Sequence, residues 1–83
     1  MPYGIIWSQL AQAALAGLEK SLAGRIVKKV IIISANPHPF LEKLTDIKCY
    51  KLRIGDYRAF IDIDEGKREM HVLSVRHRKK AYK

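Results

Sequence analysis

Eighty-three residues set the size of one small domain. Hydrophobic residues make up 48% of the chain, enough for a core and against wholesale disorder, and no apolar run approaches membrane-spanning length. Sixteen Lys/Arg against eight Asp/Glu give a net charge of +8, and the excess is uneven: residues 48–83 carry +6 and residues 1–47 carry +2. Such a field suggests a polyanionic partner, and charge alone attracts RNA, DNA, acidic proteins and anionic membranes alike.

Residues 1–20 lack the basic leader of a signal peptide, although "AQAALAG" has the small residues of a cleavage region. The single cysteine, Cys49, has no internal disulfide partner, so a reducing, cytoplasmic setting is expected.

"YGIIW" (3–7) reads as a short strand, and Ser8 suits a helix N-cap because its hydroxyl can accept from a free backbone N–H. Leu10, Ala11, Ala14, Leu15 and Leu18 follow at helical spacing, with a turn expected near Lys20 and Ser21. A second helix is expected from Leu22 to Ala35, with Ile26, Val27, Val30, Ile31 and Ser34 on one face. The β-branched run Val30–Ile33 favours a strand by propensity. A strand there, however, leaves Arg25, Lys28 and Lys29 without a pattern, which decides for helix. "NPHPF" (36–40) ends it, since each proline holds the preceding residue extended, and a loop runs to about Asp46. Three strands close the chain, at 47–54, 57–63 and 69–76. The expected architecture is a single α+β domain over residues 1–83. It has two layers, with an N-terminal strand and two helices on one face of a mainly antiparallel four-stranded sheet (βααβββ).

Gly55-Asp56 fits a two-residue type II′ loop, which places Ile54 opposite Tyr57, Arg53 opposite Arg58 and Lys51 opposite Phe60. One face then collects Tyr50, Leu52, Ile54, Tyr57, Ala59, Ile61 and Ile63 as core. The other collects Lys51, Arg53, Arg58, Phe60 and Asp62, a cationic surface with an aromatic beside it. Directly opposed arginines destabilise a hairpin, and a bound phosphate relieves them. The second hairpin has two readings. A two- or four-residue loop around Glu65-Gly66 puts Met70 and Val72 on the core face. A three-residue loop, Glu65 to Lys67, puts His71, Leu73 and Val75 there and sends Ser74, Arg76 and Arg78 to the cationic face. The second buries the better apolar set and is preferred.

His38, His71 and His77 are not at paired ligand spacing, the carboxylates do not cluster, and neither a Gly-rich phosphate loop nor a nucleophile elbow is present. No metal or cofactor is expected. The remaining set of Lys, Arg, His and Tyr suits RNA cleavage in which the substrate's own 2′-OH attacks the phosphate. The protein then has to remove a proton, offset charge on the phosphate and protonate the leaving oxygen. A lysine serves as base only where neighbouring cations favour its neutral form, whereas arginine stays charged and clamps phosphate oxygens.

"CYKLRIGDYRAFIDID" followed by "VLSVRHRKKAY" resembles the C-terminal sheet of the RelE toxins of prokaryotic toxin–antitoxin systems. The specific elements are the hairpin Y-[KR]-x-[KR]-x-G-x-Y-R at 50–58 and the terminal H-R-x-x-x-Y at 77–82. "NPHPFLEKL" leads into the sheet in the family's order. The resemblance implies a ribosome-dependent, metal-independent endoribonuclease that cuts mRNA in the A site, leaves a 2′,3′-cyclic phosphate and inhibits translation. It implies a cognate RelB-like antitoxin, acidic or amphipathic, in a complex that oligomerises. By position, Lys51 and Arg53 match the family's basic pair, with Lys51 as base. Arg58 matches the phosphate clamp, Arg78 the arginine that aids leaving-group protonation, and Tyr82 the tyrosine that stacks on or orients a base. His77 offers an alternative acid, and Arg76, Lys79 and Lys80 are candidate RNA contacts. Arg53 stands where a second lysine can occur, and Tyr82 follows Arg78 by only four residues. The alternative implied by the same fold is a ParE-like gyrase inhibitor, or an inactive homologue that acts only through its antitoxin.

Overall fold

A computed structural model describes residues 2–45 and 49–79. Strand β1 (Gly4–Trp7) runs into Ser8, whose extended backbone and side chain cap helix α1 (Gln9–Ala16). Ser8 Oγ accepts from the Ala11 amide at 3.0 Å. The chain turns at Gly17 and helix α2 spans Lys20–Ile33. The β-branched run is helical because burial outweighs propensity: Ile26, Val30 and Ile33, at i, i+4 and i+7, are fully buried. The expected inner face is corrected at one place, because Ile31 is 54% exposed and Ile33 takes its position against the sheet.

A 3-10 turn (His38–Phe40) follows, and then β2 (Glu42–Lys43), β3 (Tyr50–Ile54), β4 (Tyr57–Asp64) and β5 (Glu69–His77). The fold is the expected α+β arrangement with one more strand, since the sheet has five in the order β1-β5-β4-β3-β2. The addition, β2, pairs antiparallel with β3 through Glu42↔Lys51 and Lys43↔Tyr50. β1 runs parallel to β5 at the other edge. Both helices lie on one sheet face, where Ala11, Ile26, Val30 and Ile33 meet Leu52, Ile54, Ala59, Ile61, Met70, Val72 and Val75. Each large side chain buried there contributes about 1.5–3 kcal/mol. Trp7 packs partly buried against this core. Cys49 is buried beside it, and desolvation pushes its thiol up from the ordinary value.

The second hairpin resolves the register by using both readings. Asp64 pairs with Glu69 across a four-residue loop, with Arg68 at φ 53° and the Lys67 amide donating to Asp64 Oδ1 at 3.1 Å. Met70 and Val72 therefore enter the core. A β-bulge opposite the Phe60/Ile61 junction then inserts Leu73 as an extra residue, so that beyond it Val75 faces the core and Ser74 and Arg76 the other side. The preferred three-residue loop is thereby corrected: His71 and Leu73 lie off the core face, and Leu73 is 41% exposed. The bulge carbonyls are satisfied by the start of α1. The Ser8 amide donates to Val72 O at 3.0 Å and Ser8 Oγ donates to Leu73 O at 2.7 Å.

Candidate nucleic-acid interface

The β3–β4 turn carries Gly55 at φ 58°, and Asp56 is not among the positive-φ residues, which is the type II′ pattern. Its consequence is the expected pairing: Ile54↔Tyr57, Arg53↔Arg58 and Lys51↔Phe60. The bulge adds a third member, because Arg58 also pairs with Arg76. Three arginines thus stand in one row across β3, β4 and β5, on the face away from the helices. Arg78 follows the end of β5, and its amide donates to Asp56 O at 2.7 Å, which ties it to the same turn. A shallow concavity of about 480 Å³ results, lined by Arg53, Arg58, Arg78 and Lys79.

The other expected site residues are placed differently. Lys51 shares the arginine face but lies beside Glu42, with Nζ 3.4 Å from Oε1, and is not among the lining side chains. Arg76 is exposed in the row. His77 pairs with Tyr57 and so shares the helix-side face; the two rings meet edge to face at 5.1 Å. Its Nδ1 accepts from the Lys79 amide at 3.1 Å. The proposed alternative acid is therefore turned away from the arginine row, because strand alternation carries it to the opposite side. Lys80 and Tyr82 lie outside the described residues.

Two neighbours escaped the sequence reading. Glu42 reaches Lys51 only because β2 forms, and two residues in a presumed loop carry no strand signal. Arg25, on α2, brings its guanidinium to the first hairpin turn: a Cβ added at Gly55 would lie 3.7 Å from Arg25 Nη2.

At the opposite end of the sheet a second polar cluster has formed. Tyr3 donates its hydroxyl to Glu65 Oε1 at 2.6 Å, and His38 Nε2 sits 2.6 Å from Glu65 Oε2. The Arg68 guanidinium covers the Tyr3 ring at 4.5 Å. The Tyr3 bond, then His38, hold the Glu65 carboxyl below its usual range, and the same bond raises Tyr3. Among the described residues, no group of three His, Cys, Asp or Glu side chains could hold a metal ion.

Solved structures share this architecture. The RelBE2 toxin–antitoxin complex of Mycobacterium tuberculosis matches with a TM-score of 0.88 at 23% identity, covering 94% of this chain and 93% of that one. The free E. coli toxin RelE, in a mutant form, matches at 0.81 and 22%, covering 99% and 90%. The chromosomal ParDE system of P. aeruginosa matches at 0.70 and 17%, covering 90% and 95%. At these identities the likeness concerns the fold. No curated protein matches the sequence. The architecture is that of the RelE and ParE toxin folds. The family profile described as the ParE toxin of the type II toxin–antitoxin system parDE matches residues 5–82, and the chain belongs to that family.

Proposed function

We propose that this type II toxin is a metal-independent endoribonuclease that cleaves mRNA in the ribosomal A site and so stops translation in the cytoplasm. The observation that carries this reading is the convergence of Arg53, Arg58, Arg78 and Lys79 on one concavity, behind directly opposed arginines. Opposed like charges cost stability, and a bound phosphodiester offsets that cost. In the proposed reaction Lys51 leaves Glu42 for the arginine row, where neighbouring cations favour its neutral form, and takes the proton of the substrate's 2′-OH as that oxygen attacks the adjacent phosphorus. Arg53 and Arg58 hold the non-bridging oxygens as charge builds. The P–O5′ bond breaks, and the 5′-oxygen takes up a proton from water while Arg78 stabilises its charge. The products are a 2′,3′-cyclic phosphate and a 5′-hydroxyl. Lys79 and Arg76, with Lys80 and Tyr82 beyond them, contact the RNA.

An antitoxin partner is supported by relatives solved as RelB–RelE complexes, among them that of Pyrococcus horikoshii. An acidic or amphipathic segment suits this chain, whose helix side carries a groove of about 630 Å³ lined by Trp7, Gln12, Leu15, Ala16 and Val27. The complex with the antitoxin oligomerises in this reading.

Expression of Arg58→Ala or Arg78→Ala is expected to relieve growth arrest without loss of fold; arrest retained in both variants defeats the assignment. Family membership supports a second reading, in which a ParE-like toxin inhibits DNA gyrase. A supercoiling assay separates the two: inhibition of gyrase with intact mRNA selects the second.

A further inference from the structure

We propose that Phe60 is a stacking platform for an unpaired nucleobase, placed one nucleotide away from the phosphate held in the arginine concavity. The proposal rests on the RNA-binding reading above and assigns it a base subsite.

Phe60 stands between Ala59 and Ile61, both fully buried, so alternation turns its ring to the arginine face rather than into the core. It is half-buried there. Its cross-strand neighbours leave the ring approachable. On β5 the partner is Ser74, a small side chain. On β3 the partner is Lys51, whose Nζ lies 3.4 Å from Glu42 on β2, across β3 from Phe60. The lysine head is therefore held toward the sheet edge and away from the ring. Arg58 lies two residues back on the same strand and face, a separation of about 7 Å, on the scale of one nucleotide. Leu73 and Ile6, 41% and 42% exposed, continue an apolar strip on this face beyond the ring.

A half-buried phenylalanine on the face away from the helices adds nothing to the core beneath them, and a charged sheet face is kept soluble by polar residues. Beside a phosphate clamp it has a specific use, because every base has a π-face and stacking on an aromatic ring adds affinity that salt does not screen. Arginine contacts to phosphate, by contrast, weaken as salt rises.

The test is anisotropy titration of the full chain with a labelled hexaribonucleotide and with an abasic oligomer of equal length and charge, across a salt series. Phe60→Leu is expected to weaken binding of the base-bearing RNA about tenfold. It should leave abasic binding and the salt slope unchanged, and Phe60→Trp should restore affinity. Arg58→Ala should weaken both oligomers and lower the salt slope by about one. If wild type and Phe60→Leu bind the base-bearing RNA equally while Arg58→Ala still weakens both oligomers, the stacking proposal is overturned and the phosphate reading stands. If Arg58→Ala changes neither, both fall. Circular dichroism of each variant confirms the fold, and Phe60→Trp keeps the test decisive should the leucine variant misfold.

Discussion

The two ends of one sheet handle charge in opposite ways. Around the β4–β5 hairpin, Glu65 is shared by the Tyr3 hydroxyl and His38, Arg68 lies over the Tyr3 ring, and His71 sits 3.2 Å from Glu69. Carboxylate, imidazole and aromatic groups there satisfy one another. Around the β3–β4 turn the lining side chains, among the described residues, are all cationic, and a row of three arginines runs straight across three strands. The first end is built as structure ordinarily is, with polar groups paired. The second accumulates like charge that a fold selected for stability alone would intersperse. Functional sites commonly carry such local cost, and the contrast within one small sheet supports placing the proposed site at the β3–β4 end.

Removing the clamp tests that contrast most heavily. Arg58→Ala is expected to lower mRNA cleavage by about two to three orders of magnitude, the scale of losing one preorganised donor, with circular dichroism unchanged. Ser8→Ala comes next. It deletes both the α1 cap and the bond to the bulge carbonyl of Leu73, and should cost about 1 kcal/mol in urea unfolding. Cleavage should fall as well, because the bulge decides which face Arg76 and Arg78 reach, and Ser8→Thr should restore both properties. Relieving the row should do the reverse to stability: Arg53→Thr is expected to raise the thermal midpoint by about 2–4 °C while cleavage declines. A fall in midpoint there would show that the row is not strained.

The smallest expected effect belongs to the paired end. Glu65 titrates below its ordinary value of 4.5 because the Tyr3 hydroxyl, then His38, favour its ionised form. Its contribution is present above that ordinary value and is lost as pH falls through the lowered one. Thermal midpoints of the wild type should therefore drop more steeply than those of Glu65→Gln as pH is lowered from about 4.5. Parallel curves would remove Glu65 as the cause.

What could be read from residues alone divides along physical lines. The β3–β4 hairpin was legible because Gly55-Asp56 permits a two-residue turn, and a turn of known length sets every pair behind it. The α1 start was legible from Ser8 ahead of an apolar repeat. The β5 register was not, because the Leu73 bulge depends on bonds from Ser8, a residue 65 positions away. The inner face of α2 was wrong in one member for a similar reason: four consecutive β-branched residues offer no polar marker, and the sheet alone selects Ile33 over Ile31. In the candidate site, Arg53, Arg58 and Arg78 were legible from pattern. The partner of Lys51, the reach of Arg25 and the turning away of His77 depend on tertiary contacts with no local signature.

The central claim, that this cationic concavity performs metal-free cleavage of ribosome-bound mRNA, is tested most directly by primer extension on mRNA from a translating extract supplied with the purified toxin. EDTA should be added once ribosomes are stalled with mRNA in place. The account predicts cuts inside A-site codons that persist in EDTA, end in a 2′,3′-cyclic phosphate and vanish with Arg58→Ala. Uncut mRNA under conditions where the wild-type toxin arrests growth would contradict it.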